Sequence, residues 1–242
     1  SDTVRRSLLV DSKADALIYG MGEKQILELA KALDENRFVE KLPSIKGVCY
    51  MSKTLPEGKV VECPSYEIVK EDKRQFAEAF RLQYYEQDPF IGKTVAQLHG
   101  DRYVIQNSPA LPLTQAEMDE VYSLPFSRHW HPRYDAKGGV PALSEVQFSL
   151  VSHRGCFGSC SFCAITSHQG RIIQNRSHES LIAEAERMIA MPDFKGYIHD
   201  VGGPTANFRH TACQKQGTKG ACPGKNLSLI HISEPTRLDV IS

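Results

Sequence analysis

Short apolar runs alternate with amphipathic segments along the chain, and this pattern predicts an α/β protein. Residues 16–20 are typical of a buried strand, which passes through Gly20-Met21-Gly22 into a helix over about 23–34. Its apolar residues recur at helical spacing and are Ile26, Leu27, Ala30 and Leu33. Strand, glycine turn and helix resemble half of a Rossmann-like unit. The turn either holds an anion at the helix N-terminus or is simply tight.

The residue pattern in the middle of the chain predicts two helices with a strand between them, followed by an irregular connection. A charged helix is expected over about 67–86, with Phe76, Ala79, Phe80 and Leu82 available for packing. A strand follows at 102–106. Thr114 then stands three residues before Glu117, a capping box that opens a helix reaching about Ser123.

Residues 124–142 are rich in proline, glycine and aromatic residues and are expected to be an irregular connection. His129 and His131 flank Trp130 there. Because no second pair of ligands stands nearby, we interpret them as loop histidines rather than a metal site.

The second half predicts a strand–loop–helix–strand unit. Strands are expected at 146–152 and 196–201, and Ser177 caps a helix over about 178–190. The apolar face predicted for this helix is Leu181, Ile182, Ala185, Met188 and Ile189. Such a unit implies a parallel sheet, in which the loop after the first strand and Gly202-Gly203 after the second share the carboxyl edge. Ligands of parallel α/β folds bind at that edge.

The amino-acid composition excludes some classes of function. The chain has 242 residues with 29 basic and 29 acidic side chains, and this balance does not indicate a nucleic-acid binder. Neither a membrane-spanning run nor a signal peptide is evident, so we expect a cytoplasmic protein with no membrane partner. In a reducing compartment its 7 cysteines are expected to be metal ligands or core thiols rather than disulfides.

Cys156, Cys160 and Cys163 crowd into eight positions directly after a predicted strand. Three thiolates in one short loop suit a cubane iron–sulfur cluster better than zinc, which needs four ligands. Gly155 and Gly158 allow the backbone to fold closely around such a core. Three protein ligands leave one iron open. A fourth ligand from Cys213 or Cys222 would instead give a closed electron-transfer cluster, and zinc or coincidental spacing are the remaining interpretations.

The Cys-x-x-x-Cys-x-aromatic-Cys segment at the end of a strand resembles the radical SAM superfamily. The stretch RGCFGSCSFCAITSHQGRIIQNRS, with KGYIHDVGGPTANFR, resembles its YgiQ family, and the likeness extends over most of residues 1–226. The resemblance implies a partial radical SAM (β/α) barrel, present here as its first βαβ unit, preceded by part of a Rossmann-like, cobalamin-binding-like domain.

The resemblance also implies roles for single residues. Cys156, Cys160 and Cys163 would bind three irons of a 4Fe–4S cluster, and S-adenosylmethionine (SAM) would chelate the fourth. Phe162 would pack near the adenine, and the backbone of Gly202 and Gly203 would meet the methionyl amine. Pro204 stands where the superfamily has a glutamate, so a carboxylate contact is not expected.

The expected activity is reductive cleavage of SAM to a 5′-deoxyadenosyl radical, with a reductase or flavodoxin-type protein as electron donor and no substrate indicated. The alternatives are a non-catalytic iron–sulfur electron carrier or sensor and a zinc-stabilised binding module. Expected segments are 1–50 (Rossmann-like part), 51–142 (connecting α/β), 143–226 (start of the barrel) and 227–242, a tail that resembles a translated sequencing adapter. Cys213 and Cys222 could belong to an auxiliary cluster or zinc site, or be free loop thiols.

Overall fold

The computed structural model of the chain describes residues 3–158, 160, 162–203 and 215–221. These residues form two compact units. The first contains residues 3–112 together with 167–171 and 215–221, and the second contains the described residues of 113–166 and 172–203.

The described residues contain both helices and strands throughout. The α-helices are Leu8–Ser12 (α1), Glu23–Asp34 (α2), Phe38–Lys41 (α3), Tyr66–Glu71 (α4), Lys73–Tyr85 (α5), Gln115–Ser123 (α6), Leu143–Val146 (α7), Ile165–Gln169 (α8), His178–Ile189 (α9) and Gln216–Lys219 (α10). The strands are Ala16–Ile18 (β1), Val48–Ser52 (β2), Val60–Cys63 (β3), Thr94–His99 (β4), Arg102–Gln106 (β5), Ser149–Val151 (β6), His153–Arg154 (β7), Gln174–Asn175 (β8) and Asp200–Gly202 (β9). The 3₁₀ turns are Leu42–Ser44 and Pro132–Lys137.

The first unit is built on a five-stranded sheet with the order β1-β2-β5-β4-β3. The pair β3–β4 is parallel, whereas β1–β2, β2–β5 and β4–β5 are antiparallel. The strand, glycine turn and helix expected at 16–34 are present. However, β2 runs antiparallel to β1, so β1, α2 and β2 do not form a parallel Rossmann-like unit. The expected boundary at residue 50 falls inside β2, which is hydrogen-bonded to strands on either side of it.

Helices cover both faces of this sheet. On one face, Leu29 of α2 joins a buried cluster with Tyr50 and Ile105. On the other face, Val69 and Ala79 of α4 and α5 pack with Val95. Successive strand residues point to opposite faces, so β4 serves both clusters. The result is a three-layer α/β unit.

The apolar faces predicted for two of these helices are partly wrong. In α2 the buried residues are Gln25, Leu29 and Ala32, whereas Ile26, Leu27 and Leu33 are 55%, 70% and 58% exposed. In α5, Ala79 is buried but Phe76 and Phe80 are exposed. One residue turns a helix by about 100°, so a small error in the assumed face exchanges buried and exposed positions.

The second unit contains the predicted strand–helix–strand element. Strands β6 and β9 are parallel, with Val151 opposite Gly202, and α9 lies between them in the chain. Leu181 and Met188 of α9 pack in one cluster with Leu150 of β6. This unit is therefore a βαβ element, as predicted, although both strands are shorter than expected: β6 begins at Ser149 instead of Val146, which ends α7, and β9 begins at Asp200 instead of Gly196. The described residues contain no closed barrel.

Two predicted helix caps are confirmed. Thr114 accepts a hydrogen bond from the backbone N–H of Glu117, whose carboxylate accepts one from the backbone N–H of Thr114 at 2.8 Å. Ser177 accepts from the backbone N–H of Ser180 at 3.0 Å and begins α9. None of the helices in the described part of the chain has the length and apolar character needed to span a bilayer.

Candidate functional site

The base of the cysteine loop is closed by a short antiparallel pair. His153 and Arg154 of β7 lie opposite Asn175 and Gln174 of β8. Gly155 follows with φ +89°, and a Cβ at this position would lie 2.3 Å from the carbonyl oxygen of Ile172. Only glycine fits this close approach without strain, so the residue before Cys156 is fixed by the backbone across from it.

Cys156 lies inside this base, whereas the other two cysteines are half-buried. Cys156 is 2% exposed, and its Sγ accepts a hydrogen bond from the backbone N–H of Gly158 at 3.4 Å. Its carbonyl oxygen accepts one from the hydroxyl of Thr166 at 3.2 Å. Cys160 and Cys163 are joined by a tight turn, in which the N–H of Cys163 donates to the carbonyl of Cys160 at 3.0 Å.

The three sulfur atoms are not gathered into a ligand set. Among the residues that the structure describes, no three histidine, cysteine or acidic side chains lie close enough together to hold a metal ion. The chemistry of the donors nevertheless fits an iron–sulfur cluster: three thiols share one short loop, and a backbone N–H already points at one sulfur.

The other residues expected at the cofactor lie in different surroundings. Phe162 is 89% exposed. Gly202 ends β9, and its carbonyl accepts from the N–H of Ser152 at 2.7 Å. Gly203 lies against the ring of His153. The loop before Cys156 and the Gly-Gly turn therefore share the carboxyl edge of the β6–β9 pair.

A buried ionic group beside β6 was missed by the sequence analysis. Glu184 of α9 is 4% exposed and forms ion pairs with Arg128 and Arg176. The guanidinium of Arg176 is 4.1 Å from the ring centroid of Tyr122, and that of Arg154 is 5.1 Å from the same ring. Two arginines therefore stack on one tyrosine next to the loop base.

The sequence does carry one signal for this group. The buried face of α9 is Leu181, Glu184, Ala185 and Met188, which recur with helical spacing. A glutamate at a core position of such a face requires a partner of opposite charge. Ile182 and Ile189, which were assigned to this face, are each 58% exposed.

Two further cysteines are buried in the first unit, and two histidines belong to the connection at 124–142. Cys49 is buried in β2, where burial raises the pKa of its thiol to about 12. Burial also raises the pKa of Cys63. His131 caps the turn at Pro132–Lys137 by accepting from the N–H of Arg133 at 3.1 Å, and His129 lies 3.8 Å from Asp193. Cys213, Cys222, Pro204 and the tail at 227–242 are outside the described residues.

Comparison with known proteins identifies the family. Residues 1–149 match the family described as Radical SAM N-terminal. The chain belongs to this family. The predicted resemblance to the radical SAM superfamily and its YgiQ family is thereby confirmed.

Curated relatives with the name UPF0313 protein support the same assignment. A Clostridium botulinum protein is 55% identical over 225 residues, which is 93% of this chain and 35% of the relative. A Clostridium perfringens protein is 52% identical over 224 residues, 92% of this chain and 34% of the relative. The chain thus spans about a third of the length of these relatives. No solved structure matches it significantly.

The Radical SAM N-terminal match ends at residue 149, the first residue of β6. The five-stranded sheet of the first unit therefore lies within the family region, as does the second unit up to the start of β6. The cysteine loop follows directly after it.

Proposed function

We propose that this chain is part of a radical SAM enzyme that binds a 4Fe–4S cluster through Cys156, Cys160 and Cys163. The observation that carries the proposal is the juxtaposition of Ser152 and His153, which lead into the cysteine loop, with Gly202-Gly203 at the carboxyl edge of two parallel strands. Membership of the Radical SAM N-terminal family supports it. In this proposal β6, α9 and β9 are the first βαβ unit of a partial radical SAM barrel.

The residues of the chain would hold and orient the cofactors. The three thiolates would bind three irons, and the N–H of Gly158 would donate to the sulfur of Cys156. Gly203 would offer its backbone to the methionyl part of SAM, while Phe162 would turn from solvent toward the adenine. A 4Fe–4S cluster held by these residues would supply one-electron reduction of SAM, which yields methionine and a 5′-deoxyadenosyl radical. The electron would come from a reductase or flavodoxin-type partner in the cytoplasm.

Metal content tests the first step. The 242-residue chain, purified without oxygen and reconstituted with iron and sulfide, is expected to hold about four irons and to be brown. Changing the three loop cysteines to alanine should abolish the colour, whereas Cys49→Ala is the matched control because its thiol is buried in the sheet. A triple variant that keeps its full iron content contradicts the proposal.

SAM cleavage tests the second step. A chain extended to the length of the UPF0313 relatives, incubated with SAM and dithionite, is expected to release 5′-deoxyadenosine. A non-catalytic carrier or sensor would hold the cluster and release none. A zinc-stabilised module would be colourless and contain zinc without iron.

A further inference from the structure

One edge of β6 is bonded to side chains instead of a strand. On the inner edge, Phe148 accepts from the N–H of His199 at 2.9 Å, and β9 follows. On the outer edge, β6 pairs with no strand among the described residues. Its carbonyl groups point there from alternate residues, as the pleat requires.

Two arginines donate hydrogen bonds to backbone carbonyl oxygens along this outer edge. Nη1 of Arg128 lies 2.7 Å from the carbonyl oxygen of Gln147 and 3.3 Å from that of Ser149. Nη1 of Arg176 donates to the carbonyl of Val151 at 3.0 Å. The outward carbonyls of β6, on Ser149 and Val151, and the carbonyl of Gln147 at the end of α7 thus receive hydrogen bonds from two guanidinium groups.

Glu184 holds the two arginines in place. One carboxylate oxygen pairs with Arg128 and the other with Arg176. The side chains of Arg176, Glu184 and Arg128 are 0%, 6% and 15% exposed. Without this carboxylate, two cations would face each other with little water to screen them. Arg128 also adopts φ +52°, an unfavourable conformation that its contacts must offset.

The same group is connected to the base of the cysteine loop. The backbone N–H of Arg176 donates to the carbonyl of Ser152 at 3.1 Å. Arg176 directly follows β8, which pairs with β7, and Cys156 stands two residues after β7. A displacement of Arg176 therefore moves the β7–β8 pair, and the cysteine loop begins directly after β7.

We infer that Arg128, Glu184 and Arg176 form a positioning unit, which closes the outer edge of β6 and fixes the base of the cysteine loop. Its role toward the cluster rests on the proposed function, whereas its role at the strand edge does not. The two roles are measured separately.

Hydrogen exchange of the metal-free 242-residue chain tests the strand edge. Glu184→Gln removes the carboxylate that both arginines share and turns an amide NH2 toward one of them, so amides of residues 149–154 should exchange roughly tenfold faster than in the wild type. Arg128→Lys, which keeps the charge but not the two-carbonyl contact, should raise exchange at the start of β6. Glu78→Gln, in the exposed pair with Arg81, is the matched control and should leave these amides unchanged. Wild-type exchange in both Glu184→Gln and Arg128→Lys overturns the inference.

The EPR spectrum and midpoint potential of the reduced cluster test whether this unit positions the cysteine loop. We expect Glu184→Gln to bind wild-type amounts of iron but to show altered EPR g values and an altered midpoint potential, with Glu184→Asp closer to the wild type. Unaltered g values and potential in Glu184→Gln overturn the positioning role even if exchange is faster. If the wild type takes up no iron, the proposed function fails, and the exchange experiment still decides the strand-edge role.

Discussion

The ring of His153 occupies the space that a side chain at Gly203 would need. A Cβ built on Gly203 would lie 2.1 Å from Nε2 of His153, far inside contact distance. His153 is fully buried, and its Nδ1 lies 2.9 Å from the hydroxyl of Ser152. The ring therefore cannot move aside without disturbing β6 and β7, between which Ser152 stands.

We predict that Gly203→Ala destabilises the second unit by about 1–3 kcal/mol, the usual cost of overpacking a tight site. Urea unfolding followed by the fluorescence of Trp130, the only tryptophan in the chain, measures this unit. Gly202→Ala is the matched control, because its Cβ would be 3.6 Å from the nearest atom, an ordinary contact. Equal urea midpoints for the two variants would show that His153 does not restrict position 203.

A second prediction compares two glycines in order to separate the cost of a left-handed backbone from the cost of a steric clash of the added Cβ. Gly155 and Gly138 have similar φ values of +89° and +82°, but an added Cβ meets the Ile172 carbonyl at 2.3 Å at the first position and nothing within 4 Å at the second. Both alanine variants bear the cost of the left-handed conformation, about 1 kcal/mol. Gly155→Ala should lose at least roughly 1 kcal/mol more, because backbone atoms must move.

Trp130 fluorescence in urea again provides the measurement. Reconstitution of Gly155→Ala should also yield less iron than Gly138→Ala, since residue 155 precedes the first cysteine. Indistinguishable stabilities would contradict the close approach of Gly155 to Ile172.

Local signals in the sequence predicted much of this fold. The caps at Thr114 and Ser177 depend on neighbours within three residues, and the parallel β6–β9 pair follows from one short connection. The face of α9 could not be predicted in the same way. Glu184 is buried because Arg128 reaches it from 56 residues away in the chain, and a pattern confined to one helix contains no information on that partner.

In the candidate site, too, some features could be predicted from the sequence and others could not. The spacing of the cysteines and their place after a strand were visible in the sequence, as was the shared edge with Gly203. The solvent exposure of Phe162 was not visible in the same way, because the spacing of the cysteines does not determine how the side chains between them are oriented.

Glu184→Ala should destabilise the second unit by roughly 3–5 kcal/mol, because it leaves two buried guanidinium groups without their shared carboxylate. In many proteins, apolar residues can replace a whole buried ionic group at little cost. Here the triple change Arg128→Met, Glu184→Leu and Arg176→Met should remain destabilised, since three backbone carbonyls lose their donors. Trp130 fluorescence in urea compares the variants. A triple variant as stable as the wild type would mean that the carbonyl contacts contribute nothing.

The pH dependence of the first unit is predicted to include His99. The ring of His99 is 8% exposed, stacks on Tyr66 at 5.2 Å between centroids, and lies 3.2 Å from the side-chain oxygen of Gln97. Burial lowers its pKa from the ordinary value near 6.5, the charge of Glu67 opposes this shift, Arg6 adds to it and Asp11 opposes it. The folded state therefore favours the neutral ring, and the unfolded chain binds the proton more readily.

The stability contributed by neutral His99 is full above about pH 6.5 and is lost as the pH falls from there toward the lower pKa of the folded state. Thermal unfolding followed by circular dichroism between pH 7.5 and 5 should show a falling melting temperature in the wild type. His99→Gln should show a shallower fall, because glutamine does not titrate. The pKa of Glu67 is lowered chiefly by backbone hydrogen bonds, so its own contribution is lost only below about pH 4.5, outside this range. Equal slopes in the two proteins would show that His99 titrates alike in the folded and unfolded chains.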